Sequence, residues 1–451
     1  MRTRWSVIVL SLVITTGLAG TSAMAHHPEE GGGQYSGVIS QQWSAFESVA
    51  EKAAEGSHAP QSFAPCIDGM AADEFPCDGV DMMSFIPHGD LGTTFANDIW
   101  GWTDPETKRD YALLGAGEGT VFVDITDPKR PDVLGILPTH TSNNFFWRDI
   151  KVYADHAFIV SEDNGHGMQV FDLTQLRDWD GTYTTYTETA LYTGLSSAHN
   201  ININEDTGFA YALGVRNTGA CGGGLHMIDI SDPTNPTFAG CSSENGYVHD
   251  TQCVIYEGPD AEHRGKEICF NSNAPGAYGS TNHWVAIVDV TDKSNPVALG
   301  RMSYPNSGYS HQGWLTPDQQ YFLHGDEGDE FIHGLGTTTR IWDVRDLDNP
   351  VQIGTFENET TSIDHNIYTE GRLAFASNYS SGLRVYDMRN VADGVLSEVA
   401  YFDLYPEDDG PHFDGGTWSN YPYFRQKNIL AVSSMDRGLF VLRVRGGLSN
   451  N

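Results

Sequence analysis

From about Asn97 onward the chain alternates short, β-rich apolar runs with polar turns. Six of the runs end in aspartate: Thr120–Asp124, Met168–Asp172, Leu225–Asp229, Val285–Asp289, Thr339–Asp343 and Leu383–Asp387. A seventh, Leu439–Arg443, lacks it. In several copies a turn such as Thr126-Asp-Pro128 or Ser231-Asp-Pro233 follows, then a proline and a later glycine, as in Pro131–Gly135, Pro296–Gly300 and Pro350–Gly354. Asp and Pro fix a tight turn, and the next β-rich run returns as a strand.

Two further strand-like segments precede each apolar run. The fifth unit reads His311–Leu315, Gln320–His324, Arg340–Asp343 and Val351–Gly354, four short strands. The units start near Asp98, Asp149, Asn200, Asp250, Gln312, Asn366 and Asp414, a spacing of roughly 50 residues that suits propeller blades. A solenoid is the alternative, but four strands per unit without helical periodicity favour a propeller. The last unit ends at Val444 after its third strand, while Val80–Pro87 reads as a strand with no unit of its own. Placed beside Leu439–Val444, it completes the last blade and removes a free sheet edge. The fold expected is all-β: a seven-bladed β-propeller over residues 66–444, with four-stranded blades and the last blade closed by the N-terminal strand. Residues 26–65 form an extension, helical over 41–54 and otherwise loose, and 445–451 a short tail.

The N-terminus changes the picture of where this propeller works. Arg2 and Arg4, the apolar run Ser6–Ala19 and the small-x-small Ala23-Met24-Ala25 read as a signal peptide over residues 1–25. No later stretch is apolar enough to span a bilayer, so a secreted, extracellular or periplasmic protein is expected. The chain carries 25 Lys+Arg against 60 Asp+Glu. Without Arg2 and Arg4 the balance is 23 against 60, a formal charge of −37. Such a surface repels nucleic acid and anionic lipid and favours solubility and cations. Six cysteines in an exported chain read as three disulfides, with fifteen pairings open on count alone.

The segments Cys66-Ile-Asp-Gly69, Pro76-Cys77, Asn97–Trp102, Tyr111–Gly115 and Gly119–Pro128 resemble the choice-of-anchor B family of secreted bacterial proteins, built on LVIVD-type repeats. The resemblance runs from Cys66 to Val444. It implies a propeller and an extracellular location and no assigned reaction. No C-terminal anchor is read here, where that family varies. On the repeat, Cys221 in the second-to-third loop of the third unit faces Cys241 on its fourth strand. Cys253 and Cys269 lie on neighbouring strands of the fourth unit, and Cys66 and Cys77 close the loop leading into the ring. The expected pairs are Cys66–Cys77, Cys221–Cys241 and Cys253–Cys269.

Every innermost strand begins with polar residues: Asn97-Asp98, Arg148-Asp149, His199-Asn200, His249-Asp250, His311-Gln312, His365-Asn366, and His412 with Asp414. Side chains alternate along a strand, so one of each pair can face the channel. His199, His249, His311, His365 and His412 can converge there on a transition metal, with acids completing the shell; fold analogy shows that propellers can hold iron this way. The competing reading makes them scaffold residues bonded to backbone. Asp98, Asp149, Glu162, Asp163, Arg216, Asn273, Asp326 and Glu327 are the further candidate binding residues. The segment His324–Glu330 resembles a hard-cation loop for Ca²⁺ without the full EF-hand spacing. Tyr278, Trp284, Tyr309 and Tyr379 are aromatic candidates for a binding mouth.

No Gly-x-Ser-x-Gly elbow, phosphate loop or zinc-type cysteine pair is present. Three functions follow in order: an extracellular module binding a protein or glycan, with a divalent metal at the channel top; a metal-dependent hydrolase or oxidoreductase; and a structural surface or matrix component.

Overall fold

The computed structural model describes residues 59–141, 147–215, 221–275, 282–426 and 428–446. The expected signal peptide, the helix over 41–54, Arg216, Tyr278 and most of the tail lie outside the described residues.

Seven antiparallel sheets surround a central channel. Their inner strands, Ala96–Thr103, Arg148–Tyr153, Asn200–Asn204, Val248–Ile255, Ser310–Leu315, Ile367–Glu370 and Thr417–Tyr421, define blades 1 to 7. Burial falls off outward. Blade 4 shows the trend: its second strand Glu267–Asn273 is wholly buried, whereas its outer strand Val297–Ser303 alternates buried and exposed. Each blade is therefore buried on both faces near the axis and must pack on two neighbours, which is what closes a ring. Between blades 1 and 2, Tyr111 and Phe122 pack against Ile150 and Phe171, with the Phe122 and Phe171 rings stacked 4.7 Å apart. Truncating a buried ring of this kind costs about 3–5 kcal/mol.

The repeat motif is explained locally. Asp124, Asp229 and Asp289 each accept the backbone N–H two residues on, at 2.8, 2.9 and 3.0 Å, which is the turn chemistry expected of Asp. The motif glycines lie where the next connection crosses the outer strand. A Cβ at Gly300 would sit 2.2 Å from the Leu347 carbonyl oxygen, and one at Gly354 2.1 Å from that of Gly394.

Ring closure is as the sequence indicates. Val80–Pro87 runs antiparallel to Gly438–Val444, pairing Val80 with Val444 and Pro87 with Gly438, and the Phe85 and Phe440 rings stack at 4.3 Å. The chain adds a second layer. Gln61 and Ala64, placed by the sequence in a loose extension, exchange backbone hydrogen bonds with Phe85 and Met82 and cover the closing strand's edge. The hairpin Met70–Ala71/Phe75–Asp78 extends blade 6, with Cys77 opposite Phe402. Phe75 packs on Phe402 of blade 6 and Phe440 of blade 7. Thr184–Thr185 adds in parallel to the outer strand of blade 1. The three disulfides join Cys66–Cys77, Cys221–Cys241 and Cys253–Cys269.

Candidate metal centre

The inner strands all run the same way, so their first residues meet at one channel mouth in two tiers. The deeper tier is a set of ties between blades. Asp98 accepts from Ile150 N at 3.2 Å, Asp149 from Ile201 N at 2.6 Å, and Gln312 from Ile367 N at 2.9 Å. Each polar side chain thus satisfies the inner strand of the next blade. Lys151, two residues beyond Asp149 and so on the same strand face, puts its Nζ 2.6 Å from Asp149 and 3.4 Å from Asp98. Burial and the Asp149 charge push the Asp98 carboxyl well above its ordinary range. Burial also raises Asp149, but the Lys151 ammonium and the hydrogen bonds from Asp98, Ile201 N and Lys151 together hold it below that range. The two carboxyls of this buried pair are thus shifted in opposite directions around one cation.

The upper tier is an arc of imidazoles. Ring centroids of His199 and His249 are 4.4 Å apart, His249 and His311 4.3 Å, and His311 and His365 4.2 Å. Trp418 continues the arc 4.5 Å from His365, and Trp147 stacks on Trp418. His249, His311 and His365 are at most 4 % exposed. The first and last of these use Nδ1 against the backbone of the following blade: His249 on the His311 carbonyl at 3.0 Å, His365 on that of Trp418. His199 Nδ1 pairs with Glu162 at 2.8 Å. Burial, helped by the neighbouring imidazoles, drives His311 well below its ordinary value, and burial takes His365 down to about 3. Both rings are neutral at pH 7, the state that ligates metal.

Glu327 closes the mouth. Its carboxylate oxygens lie 3.7 Å from His311 Nε2 and 3.8 Å from His365 Nε2, and it accepts from the Tyr379 hydroxyl at 2.6 Å. One ligand atom from each of His249, His311 and Glu327 falls within 4.8 Å of the other two. Asp326 builds the loop that carries Glu327: it accepts from Tyr304 Oη, Tyr309 N, Gly308 N and Gly328 N. The space enclosed by both tiers is about 10 Å³, room for about one water or one bare ion.

The structure thus brings His199, His249, His311, His365, Glu162 and Glu327 to one place, and Asp98 and Asp149 just beneath. It does not bring His412, which pairs with Asp408 at 2.7 Å. The inner strand of blade 7 begins at Thr417, not near Asp414, so Trp418 holds the equivalent place. Asn273 donates to the Asn245 and Tyr247 carbonyls, and Asp163 lies buried within electrostatic reach of Arg148. In the segment His324–Glu330, Asp326 is saturated by protein donors and Asp329 is ion-paired to Arg340. Tyr309 packs on His249, while Trp284 stacks with Arg301 away from the arc. Lys151, Trp147 and Trp418 were not singled out from the sequence; only Lys151 carried a signal, its spacing of two from Asp149. Among the described residues one other group has metal-ligand spacing, Asp260, His263 and Asp348. It ties two loops together, His263 bonding Asp348 and Asp260 bonding Leu347 N.

Fold and site together define a seven-bladed β-propeller with a histidine–carboxylate cluster at its channel mouth. A family model of the LVIVD repeat matches residues 219–242, which end on the outer strand of blade 3. No curated protein matches the chain. Among solved structures it is similar to Kuenenia stuttgartiensis hydrazine synthase, at 14% identity and a TM-score of 0.52 over 78% of this chain and 97% of that one. It is also similar to the RRP9 WD40 repeats, at 8% identity and a TM-score of 0.50 over 78% of this chain and 94% of that one. At these identities the likeness is one of fold. Three disulfides and an LVIVD repeat are consistent with an extracellular protein.

Proposed function

We propose that this chain is a secreted interaction module of the choice-of-anchor B type whose channel mouth holds one divalent transition-metal ion. The observation that carries the reading is the convergence of His249, His311 and Glu327, all buried, with ligand atoms within 4.8 Å of one another. Two imidazoles and a carboxylate suit zinc, copper, iron or manganese better than calcium, which prefers an all-oxygen shell. The backbone carbonyl on His249 Nδ1 fixes the tautomer with the ring lone pair on the other nitrogen, as outer-shell partners of metal ligands do.

A metal-dependent hydrolase or oxidoreductase fits less well. The enclosed space bounded by His199, His249, His311 and His365 is about 10 Å³, room on that side of the rings for an ion or a water rather than an organic substrate. The ion's role in this reading is to cross-link blades 4 and 5 through the loop of Glu327. The binding function then belongs to the outer surface and loops, toward a protein or glycan partner. The test is metal analysis of the mature protein purified without chelator. Near-stoichiometric transition metal, lost in the His249→Ala/His311→Ala double variant, supports the reading. Absence of metal, together with no uptake on zinc titration, overturns it.

A further inference from the structure

The other end of the channel opens onto a pocket of about 440 Å³. Its walls include Trp100, Trp314, Tyr421 and Tyr423. These rings meet at steep angles: Trp100 and Tyr421 at 65° and 5.0 Å, Tyr421 and Tyr423 at 82° and 5.4 Å. Trp314 stands at 74° to Tyr368, 4.9 Å away. Tyr368 also packs on Trp100, so the rings form one continuous edge-to-face aromatic wall around the pocket, not a flat platform. Gly101 is part of its construction, since a Cβ there would lie 2.2 Å from the Tyr421 ring.

The polar groups of the wall are largely committed to the scaffold. The amide oxygens of Asn202 and Gln252 accept from Cys253 N and Leu315 N. Both ends of the Gln319 amide are taken, by Glu257 N and the Ile255 carbonyl. The Thr369 hydroxyl donates to the Leu315 carbonyl at 2.6 Å. Lys151 is held by Asp149 and Asp98, and its Nζ already lies 4.4 Å over the Trp100 ring. The wall thus offers a ligand mainly aromatic rings, with the carboxylates of Glu205 and Glu370 on the turns of blades 3 and 6 adding negative charge.

Aromatic faces and carboxylates both attract positive charge. A sugar needs amide and hydroxyl partners, and here the Gln319 amide, the Thr369 hydroxyl and the Asn202 and Gln252 amide oxygens are engaged. We propose that this pocket binds a small organic cation of the quaternary ammonium class, with the ammonium group against the aromatic wall and Glu205 and Glu370 at its rim. This site is separate from the channel-mouth metal centre and does not depend on it.

The experiment is isothermal titration of the mature protein with choline chloride, run against sodium chloride of equal ionic strength and against maltose as a neutral polyol. Saturable one-site binding of choline is expected, with none for maltose. Trp314→Ala and the pair Glu205→Gln/Glu370→Gln should each weaken it about tenfold, with Trp314→Phe retaining most of it and the metal content unchanged. If Trp314→Ala does not fold, the glutamate pair decides. No saturable choline binding, choline binding indifferent to these substitutions, or maltose binding in its place would each overturn the proposal.

Discussion

His249 Nδ1 lies 3.0 Å from the backbone carbonyl oxygen of His311. A carbonyl only accepts, so Nδ1 carries the proton and the neutral ring keeps its lone pair on Nε2. One bond therefore ties blade 4 to blade 5 and fixes the tautomer that a metal needs. The scaffold and ligand readings of the histidine repeat are compatible in the same side chain. His249→Ala should lower zinc affinity at least about tenfold, and it should also destabilise the metal-free protein by about 1 kcal/mol by leaving the His311 carbonyl unpaired. Chelator competition reads the first effect and urea unfolding in EDTA the second.

Asp326 lies outside the histidine arc and yet sets the place of Glu327, through Gly308 N, Tyr309 N, Gly328 N and the Tyr304 hydroxyl. Asp326→Ala is expected to reduce metal affinity by about 10–100-fold, the usual effect of losing an outer-shell partner. Glu327→Gln should weaken binding while leaving the fold intact by circular dichroism. Unchanged zinc affinity in Asp326→Ala would show that Glu327 is not held by this loop.

The closing strand is stabilised by more than its ladder. Asp81 on it accepts from Cys66 N, and it pairs with Arg443 and Arg445. Deleting residues through Pro87 removes the fourth strand of blade 7 and exposes an open edge. Aggregation is the expected outcome in size-exclusion chromatography. A monomeric, well-folded deletion product would contradict the closure.

The acid side of the stability curve has an identifiable contributor away from the metal centre. Burial, reinforced by the Asp409 and Glu407 charges, raises the Asp403 carboxyl to about 7 in the folded chain. Its ordinary value is about 3.9. Between those values the folded state holds a proton that the unfolded chain releases, so stability falls as pH rises across the window. Asp403→Asn keeps the acceptor for Tyr405 N and removes the titration. The variant should be more stable than the parent at pH 8 by about 1–3 kcal/mol and similar to it at pH 4.5. Urea unfolding at the two pH values measures the difference.

Much of this was legible in the sequence because the repeat states it several times. The apolar run ending in Asp recurs with its turn, and each copy must bury both faces, so blade number, closing strand and cysteine placement followed from position alone. The histidine arc was legible for the same reason. Blade 7 was not: His412 mimics the motif in sequence, but the register shift that spans His249 in blade 4 and His311 in blade 5 spans Trp418 in blade 7, so Trp418 takes the place. The aromatic wall was also out of reach. Trp100, Trp314 and Tyr421 sit at the far ends of inner strands from three different blades, and only ring closure brings them together. The added hairpin Met70–Ala71/Phe75–Asp78 depends likewise on a partner strand more than 300 residues away, at Ser397–Phe402.

The central claim is that His249, His311 and Glu327 hold one transition-metal ion. Anomalous diffraction at the zinc edge, from crystals of the mature protein grown with one equivalent of zinc, addresses it directly. The account predicts a strong peak in the channel mouth, about 2.0–2.2 Å from one nitrogen of each histidine and one oxygen of Glu327. Peaks confined to surface carboxylates or to Asp260, His263 and Asp348, with the channel mouth empty, would contradict it.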